Sequence, residues 1–263
     1  MSYRLSSCQL HILAMLFMLS DHLWATFFGT QRWMTGIGRI AFPIFAFLIV
    51  EGFFHTSNIK KYRKRLLICA LLSEIPFNFL MSGRWYGPFH QNVLWTFYLG
   101  LLLIALFEQC KKWIGEGIEK ISNKFAVGKA TKVLKGLLLV AAGAGISYIA
   151  YFIGNITFVD YFGAGVLTVL VFYFFHERKW YVCILLAVAL YYINAELLAG
   201  MYYPLQIGKF SFEFPEQGIA VFALLPIWLY NGRQGYHAKW FRNFCYGFYP
   251  AHMLLLALLS RFI

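Results

Sequence analysis

Residues Met34–Phe54 read MTGIGRIAFPIFAFLIVEGFF, twenty-one residues among which only Arg39 and Glu51 are ionisable. A bilayer has a hydrocarbon core about 30 Å thick, which a helix of about 20 mostly apolar residues can cross. The stretch therefore predicts a transmembrane helix.

Eight further stretches have the same apolar character: Leu10–Phe28, Arg63–Met81, Val93–Gln109, Val133–Ile153, Thr157–Phe175, Trp180–Ala199, Gln217–Tyr230 and Phe244–Phe262. The composition agrees, because 60% of the residues are hydrophobic, 13% are charged and the mean hydropathy is +0.63. Soluble domains carry about 25% charged residues, and disordered chains need high charge with low hydrophobicity. Both classes are excluded, and the sequence predicts an all-α, polytopic membrane protein of about nine transmembrane helices, a single domain over residues 1–263.

The basic residues lie between the apolar stretches and favour one side of the membrane. With nine spans, 18 lysines and arginines fall on one side and four on the other, which by the positive-inside rule predicts a cytoplasmic N-terminus. The segment Lys111–Lys135 mixes lysines with apolar residues, as expected of an amphipathic helix lying on the inner leaflet. The net charge of +12 thus indicates the lipid bilayer as partner, not nucleic acid, and a multi-pass location in a bacterial inner or plasma membrane.

Ionisable residues inside spans cost on the order of 3 kcal/mol each and are candidates for function. They are His11, Asp21, His22, Arg39, Glu51, Glu74, Asp160, Glu196 and His252, with Asn78 and Gln217 as neutral companions. Except for Glu51, most of them fall in the extracytoplasmic half of the membrane, as does the loop His90-Gln91-Asn92. This common depth predicts one polar cavity that opens to the outside.

The first span carries a further regularity. His11, Met15, Met18 and His22 share one helical face, whereas Asp21 is rotated by about 100° from His22. Asp21 is therefore free to pair with Arg39 of the second span. Three other carboxylates could orient His22, and the residues do not decide among them: Glu74, Asp160 and Glu196. The cysteines show no metal-binding spacing, so no metal is predicted.

Several motifs together resemble the TraX family, named for the F-pilin acetylation protein. They run in order along the chain: His11 to Asp21-His22, Gly38-Arg39 to Glu51-Gly52, Glu74-Ile-Pro76-Phe-Asn78, His90-Gln91-Asn92-Val93, Asp160-Tyr161-Phe-Gly163, Gln217-Gly218 and Phe248-Tyr249-Pro250-Ala-His252. TraX proteins are similar to wider groups of transmembrane acyltransferases, which have a basic residue separated by ten residues from a catalytic histidine. His11 and His22 have this spacing, although the first position is usually lysine or arginine.

The resemblance implies a membrane acetyltransferase. Its acyl donor would be cytoplasmic acetyl-CoA, and its acceptor an amine or hydroxyl on the far side, such as a peptide N-terminus or a glycan. His22 would act as general base, Arg39 or the amides of Gln91 and Asn92 would stabilise the oxyanion, and Asp21 would complete the catalytic group. The residues expected to bind substrate are His11, Glu74, Asn78, His90, Gln91, Asn92, Asp160, Glu196, Gln217 and His252. A proton-coupled small-molecule transporter is the alternative, because intramembrane Asp, Glu and His residues also form proton relays.

Overall fold

A computed structural model describes residues 4–125, 128–236 and 238–262. The helices in these ranges are α1 (Ser7–Thr26), α2 (Arg32–Gly38), α3 (Ala41–His55), α4 (Ile59–Ser82), α5 (Val93–Phe125), α6 (Gly128–Ile156), α7 (Phe162–Phe174), α8 (Trp180–Tyr192), α9 (Leu224–Trp228) and α10 (Lys239–Leu259). A π-helix (Ile193–Leu198) continues α8, and a 3₁₀-helix (Glu216–Ala223) precedes α9. Between them β1 (Tyr202–Ile207) and β2 (Phe210–Pro215) form an antiparallel hairpin, in which Tyr202 pairs with Pro215.

The prediction of a predominantly helical membrane protein is confirmed. Among the described residues, five helical segments are long and apolar enough to cross a bilayer: Arg32–His55, Ile59–Ser82, Val93–Asn123, Lys129–Ile156 and Trp180–Leu198. Two shorter apolar helices are Phe162–Phe174 and Glu216–Trp228. Large apolar side chains on α6 and α8, such as Val140 and Val188, are exposed, as lipid-facing residues would be. Nine spans and a cytoplasmic N-terminus stay predictions.

The second predicted span is interrupted where Arg39 lies. Helix α2 ends at Gly38 and α3 begins at Ala41. Pro43 has no backbone N–H to donate to the Arg39 carbonyl, so the regular hydrogen-bond ladder cannot pass this point. Arg39 therefore lies at the joint between α2 and α3, where the backbone keeps right-handed helical dihedral angles but not the regular hydrogen-bond ladder.

The Lys111–Lys135 segment differs from its prediction. Helix α5 continues through it to Phe125 and α6 begins at Gly128, so these residues extend two membrane helices and do not form a separate surface helix. Residues 126 and 127 lie outside the described ranges. At about 1.5 Å per residue, the 33 residues of α5 are longer than a bilayer core requires, and the lysines lie on the excess length.

Contacts between connecting segments agree with the predicted alternation of sides. The N-terminal segment pairs with the segment after α9, since the Leu5 amide donates to Leu229 O and the Asn231 amide donates to Leu5 O, both at 2.8 Å. At the other end, the Gln91 amide donates to Phe158 O at 2.8 Å. Each contact joins two segments that an even number of predicted spans separates, eight in the first case and two in the second, and such segments lie on one side of the membrane.

Candidate functional site

Two histidines from opposite ends of the chain lie side by side. His22 near the end of α1 and His252 of α10 have Nδ1 and Nε2, respectively, 2.7 Å apart, and their rings are nearly parallel. The other ring nitrogen of His252, Nδ1, is 2.7 Å from the carbonyl oxygen of Phe248. The side chain that contacts His22 is thus that of His252. The sequence had left three carboxylates open for this place: Glu74, Asp160 and Glu196.

A cavity of about 410 Å³ approaches this histidine pair from one end of the molecule. Exposed residues surround its mouth: His55, Arg65, Gln234, Tyr236 and Arg242. Buried side chains line its deep part, among them Met18, Phe97 and Tyr249, with His11 on the wall between. Met18 precedes His22 by one turn of α1, and Phe248, also in the lining, stacks on the His252 ring at 4.8 Å. The cavity therefore ends about one helical turn from both histidines.

Arg39 is the centre of a polar cluster toward the other end. Its Nη2 donates to Thr35 Oγ1 at 2.8 Å and its Nε donates to Glu216 Oε1 at 3.3 Å. Its Nη1 is 3.9 Å from Asp21 Oδ2, so the pairing of Asp21 with Arg39 expected from helical geometry is present. Glu216 is 1% exposed. It was not among the predicted site residues, although an acid at the start of an apolar stretch was a signal for it.

Two carboxylate oxygens of this cluster have no hydrogen-bond partner in the described part of the chain. Asp21 Oδ1 and Glu216 Oε2 are both buried without one, although the Arg32 guanidinium is 3.5 Å from Glu216 Oε2. Unpaired buried acceptors are costly, by about 1–3 kcal/mol each. Such atoms mark where a ligand with N–H donors would be stabilised.

Glu74 binds three neighbouring side chains. Its Oε2 accepts hydrogen bonds from the Asn92 amide and, at 3.0 Å, from the Trp95 indole, while its Oε1 accepts one from Asn78 at 3.4 Å. Asn92 Oδ1 also accepts from the Leu94 amide at 3.1 Å, at the start of α5. These bonds join α4 to the beginning of α5, so the contacts of Glu74 are structural.

His90 and Asp160 pair between two loops, with His90 Nε2 3.5 Å from Asp160 Oδ1. The hydrogen bond to Asp160 raises the pKa of His90, and this effect is larger than the opposing effect of partial burial. Gln91 beside it turns its side-chain amide to the carbonyls of Gly87 and Pro88, at 3.2 and 3.0 Å. The amide donors of Gln91 and Asn92 are thus already bound elsewhere.

The remaining predicted residues lie apart from one another. Glu196 is exposed on the π-helix, and Gln217 has a buried Oε1 without a partner in the described structure. Glu51, on the cavity wall, is 2.6 Å from His176, a contact that the sequence did not predict. In the part of the chain that the structure describes, the predicted polar side chains form a histidine pair, an Arg39 cluster and smaller groups, and Asp160 of one smaller group is close enough to Asp21 for electrostatic interaction. Within the described residues, no set of three metal-ligating side chains is arranged to hold an ion.

Comparison with known proteins decides the family. A family profile described as TraX protein matches residues 6–260. The chain belongs to the TraX family. It is also 31% identical over 118 residues to "Probable fimbrial assembly protein FimC, serogroup H1" of Dichelobacter nodosus. That alignment spans 38% of this chain and 46% of the relative, so it covers less than half of either. No solved structure matches the chain.

In this TraX chain, three of the motifs that carry the family resemblance meet in space. The first supplies His22, the second supplies Arg39, and the last supplies His252. Arg39 lies close enough to both His22 and Asp21 for electrostatic interaction. The fold therefore brings distant TraX motifs together between the end of the cavity and the polar cluster.

Proposed function

We propose that this protein is a membrane acetyltransferase that moves an acetyl group from cytoplasmic acetyl-CoA to an amine or hydroxyl on the opposite side. One observation carries the proposal: His22 lies between a deep cavity that opens at one end and a buried polar cluster toward the other. A group transfer across a bilayer needs a donor site, an acceptor site and a base between them. The cavity, His22 and the Arg39 cluster follow one another in the order donor site, base and acceptor site, which supports the proposal.

The cavity is the proposed donor site. CoA carries phosphates, and the mouth has two arginines, Arg65 and Arg242, next to the aromatic rings of Tyr236 and Phe241. Guanidinium groups bind phosphates well, and aromatic rings can stack on a base. His11, further in, has the spacing of the basic position in the wider acyltransferase groups, with histidine in place of the usual lysine or arginine. The apolar deep part suits the pantetheine arm that brings the thioester toward His22.

The Arg39 cluster is the proposed acceptor site. Asp21 Oδ1 and Glu216 Oε2 are buried acceptors that receive no hydrogen bond from any described residue, and the N–H groups of an amine would satisfy them. This favours an amine over a hydroxyl among the two acceptor classes. The name of the Dichelobacter relative, a fimbrial assembly protein, also favours a polypeptide acceptor, whose N-terminus is such an amine.

His22 would act as the general base. As the neutral acceptor amine forms a bond to the acyl carbon, its proton passes to His22 Nε2. The carbon–sulfur bond then breaks, and the CoA thiolate takes up that proton as the amide is released. Arg39 would stabilise the negative oxygen that forms in between, because the amides of Gln91 and Asn92 are bound elsewhere.

The donor site can be tested by calorimetric titration of acetyl-CoA into the purified full-length protein in detergent. We expect saturable binding, and a dissociation constant about tenfold higher when Arg65 and Arg242 are both changed to Ala, as the loss of charged phosphate contacts implies. Lys132→Ala with Lys135→Ala, which removes two charges from α6, should leave binding unchanged. Absence of binding by folded wild-type protein at millimolar acetyl-CoA would contradict the proposal and favour the transporter.

A further inference from the structure

The hydrogen bonds of the histidine pair fix where its protons lie. A carbonyl oxygen can only accept, so His252 Nδ1, 2.7 Å from Phe248 O, must carry a proton. In a neutral imidazole the other nitrogen, Nε2, then has only a lone pair. It can therefore only accept a hydrogen bond from His22 Nδ1, 2.7 Å away. For two neutral rings this is the one arrangement that satisfies both contacts.

This arrangement determines the protonation of His22 Nε2, the ring nitrogen that does not contact His252. With its proton held on Nδ1, neutral His22 has an unprotonated Nε2, which is the form that a general base requires. The surroundings also hold the rings in place, because Phe248 stacks on His252 at 4.8 Å and Tyr249 meets it edge-on at 5.9 Å. His252 is 6% exposed, so water competes little for these bonds.

From this chain of bonds we infer that His252 is the positioning residue for His22, in the place where a carboxylate stands in a Ser-His-Asp triad. The inference rests on the proposed function. The backbone carbonyl of Phe248 sets the tautomer of His252, and His252 in turn sets the tautomer and orientation of His22. A neutral ring in this place adds no negative charge, so it orients the base without competing with Asp21 and Glu216 for Arg39.

His252 can position His22 without any chemical step beyond the proposed acetyl transfer. During attack, His22 Nε2 gains the acceptor's proton while Nδ1–H stays hydrogen-bonded to His252. When the thiolate leaves, Nε2 returns that proton and both rings are neutral again. His252 neither gains nor loses a proton overall, which separates its role from that of the base.

Two variants of His252 separate positioning from packing. His252→Phe removes the acceptor for His22 Nδ1–H, and we expect kcat to fall about 100-fold, within the range of general-base contributions, with little change in KM. His252→Gln restores an acceptor oxygen, and we expect part of kcat to return and the pH profile of kcat to shift. Leu255→Ala on the exposed side of α10 is the control for the helix. A His252→Phe protein with wild-type kcat and pH profile would overturn the inference.

A second measurement does not depend on activity. Nitrogen-15 NMR of histidine-labelled protein in nanodiscs distinguishes the two tautomers, and a His22→Phe difference spectrum identifies the His22 signals. We expect His22 to be protonated at Nδ1 in the wild type and to change toward Nε2 protonation in His252→Phe. Nε2 protonation of His22 in the wild type would overturn the inference. If wild-type protein transfers no acetyl group, the proposed function fails, and this spectrum still tests the proton arrangement.

Discussion

Arg39 contacts polar side chains from three separate segments of the described chain. It donates to Thr35 and Glu216 and lies beside Asp21. The sequence predicted the Asp21 contact from helical rotation alone. It could not predict the Glu216 contact, because Glu216 follows 177 residues later and only the fold brings the two helices together.

Loss of the Arg39 guanidinium should affect both stability and activity. Arg39→Ala removes the cation beside the buried Glu216 and the partly buried Asp21, and loss of one partner of a buried pair costs about 3–5 kcal/mol. We expect a markedly lower melting temperature in detergent and no acetyl transfer. Arg39→Lys keeps the charge but not the planar fork, so it should fold and transfer acetyl groups more slowly.

Arg32→Ala provides the control for Arg39. Arg32 contacts the same Glu216 at 3.5 Å, but its side chain is 42% exposed, and such pairs contribute about 0–1 kcal/mol. We expect a small change in melting temperature. If Arg39→Ala melted like wild-type protein and transferred acetyl groups at the same rate, the cluster would have neither the structural nor the chemical role described.

At the scale of the elements, close helix contacts depend on single glycines. A Cβ on Gly163 of α7 would lie 2.2 Å from the backbone oxygen of Tyr151 on α6, whereas one on Gly145 of α6 would have nothing within 4 Å. Backbone cannot yield as a flexible side chain can. The two positions therefore form a matched pair for testing how α6 and α7 pack.

We expect Gly163→Ala to destabilise the protein by about 1–3 kcal/mol, as overpacking does. Gly145→Ala should be neutral or stabilising by up to about 1 kcal/mol, because alanine is the better helix former. Thermal unfolding in one detergent, followed for both variants and wild type, compares them directly. Equal melting temperatures for the two variants would mean that α6 and α7 are not packed as described.

Most membrane helices could be predicted from the sequence, because apolar stretches of bilayer length are a strong signal. The interruption at Gly38–Ala41 and the hairpin at Tyr202–Pro215 were not predicted. Pro43 lies four residues after Arg39, and its local effect is small against the hydropathy of the whole stretch. The Lys111–Lys135 segment was predicted as a surface helix, because its composition does not reveal that it continues α5 and α6.

For the whole molecule, the separation of the candidate site into parts depends on three-dimensional contacts. Depth along each span placed most ionisable residues in one half of the membrane, and this suggested a single cavity. The fold instead directs Glu74 to Asn92 and Trp95 and His22 to His252 by the rotation of their helices, and it brings His90 to Asp160 between two loops. These contacts follow from packing between distant segments, which a single sequence does not reveal.

Sided acetyl transfer in vesicles tests the central proposal most directly. Oriented proteoliposomes would receive radiolabelled acetyl-CoA on the side of the Arg65 and Arg242 mouth, with an N-terminal amine peptide on the other side. Wild-type protein and Leu16→Ala, whose side chain is 58% exposed on α1, should label the peptide. His22→Ala should remain folded and lose transfer by at least about 100-fold, as removal of a general base implies. Equal labelling by wild type and His22→Ala, or labelling only when donor and acceptor share one side, would contradict transfer across the bilayer through His22.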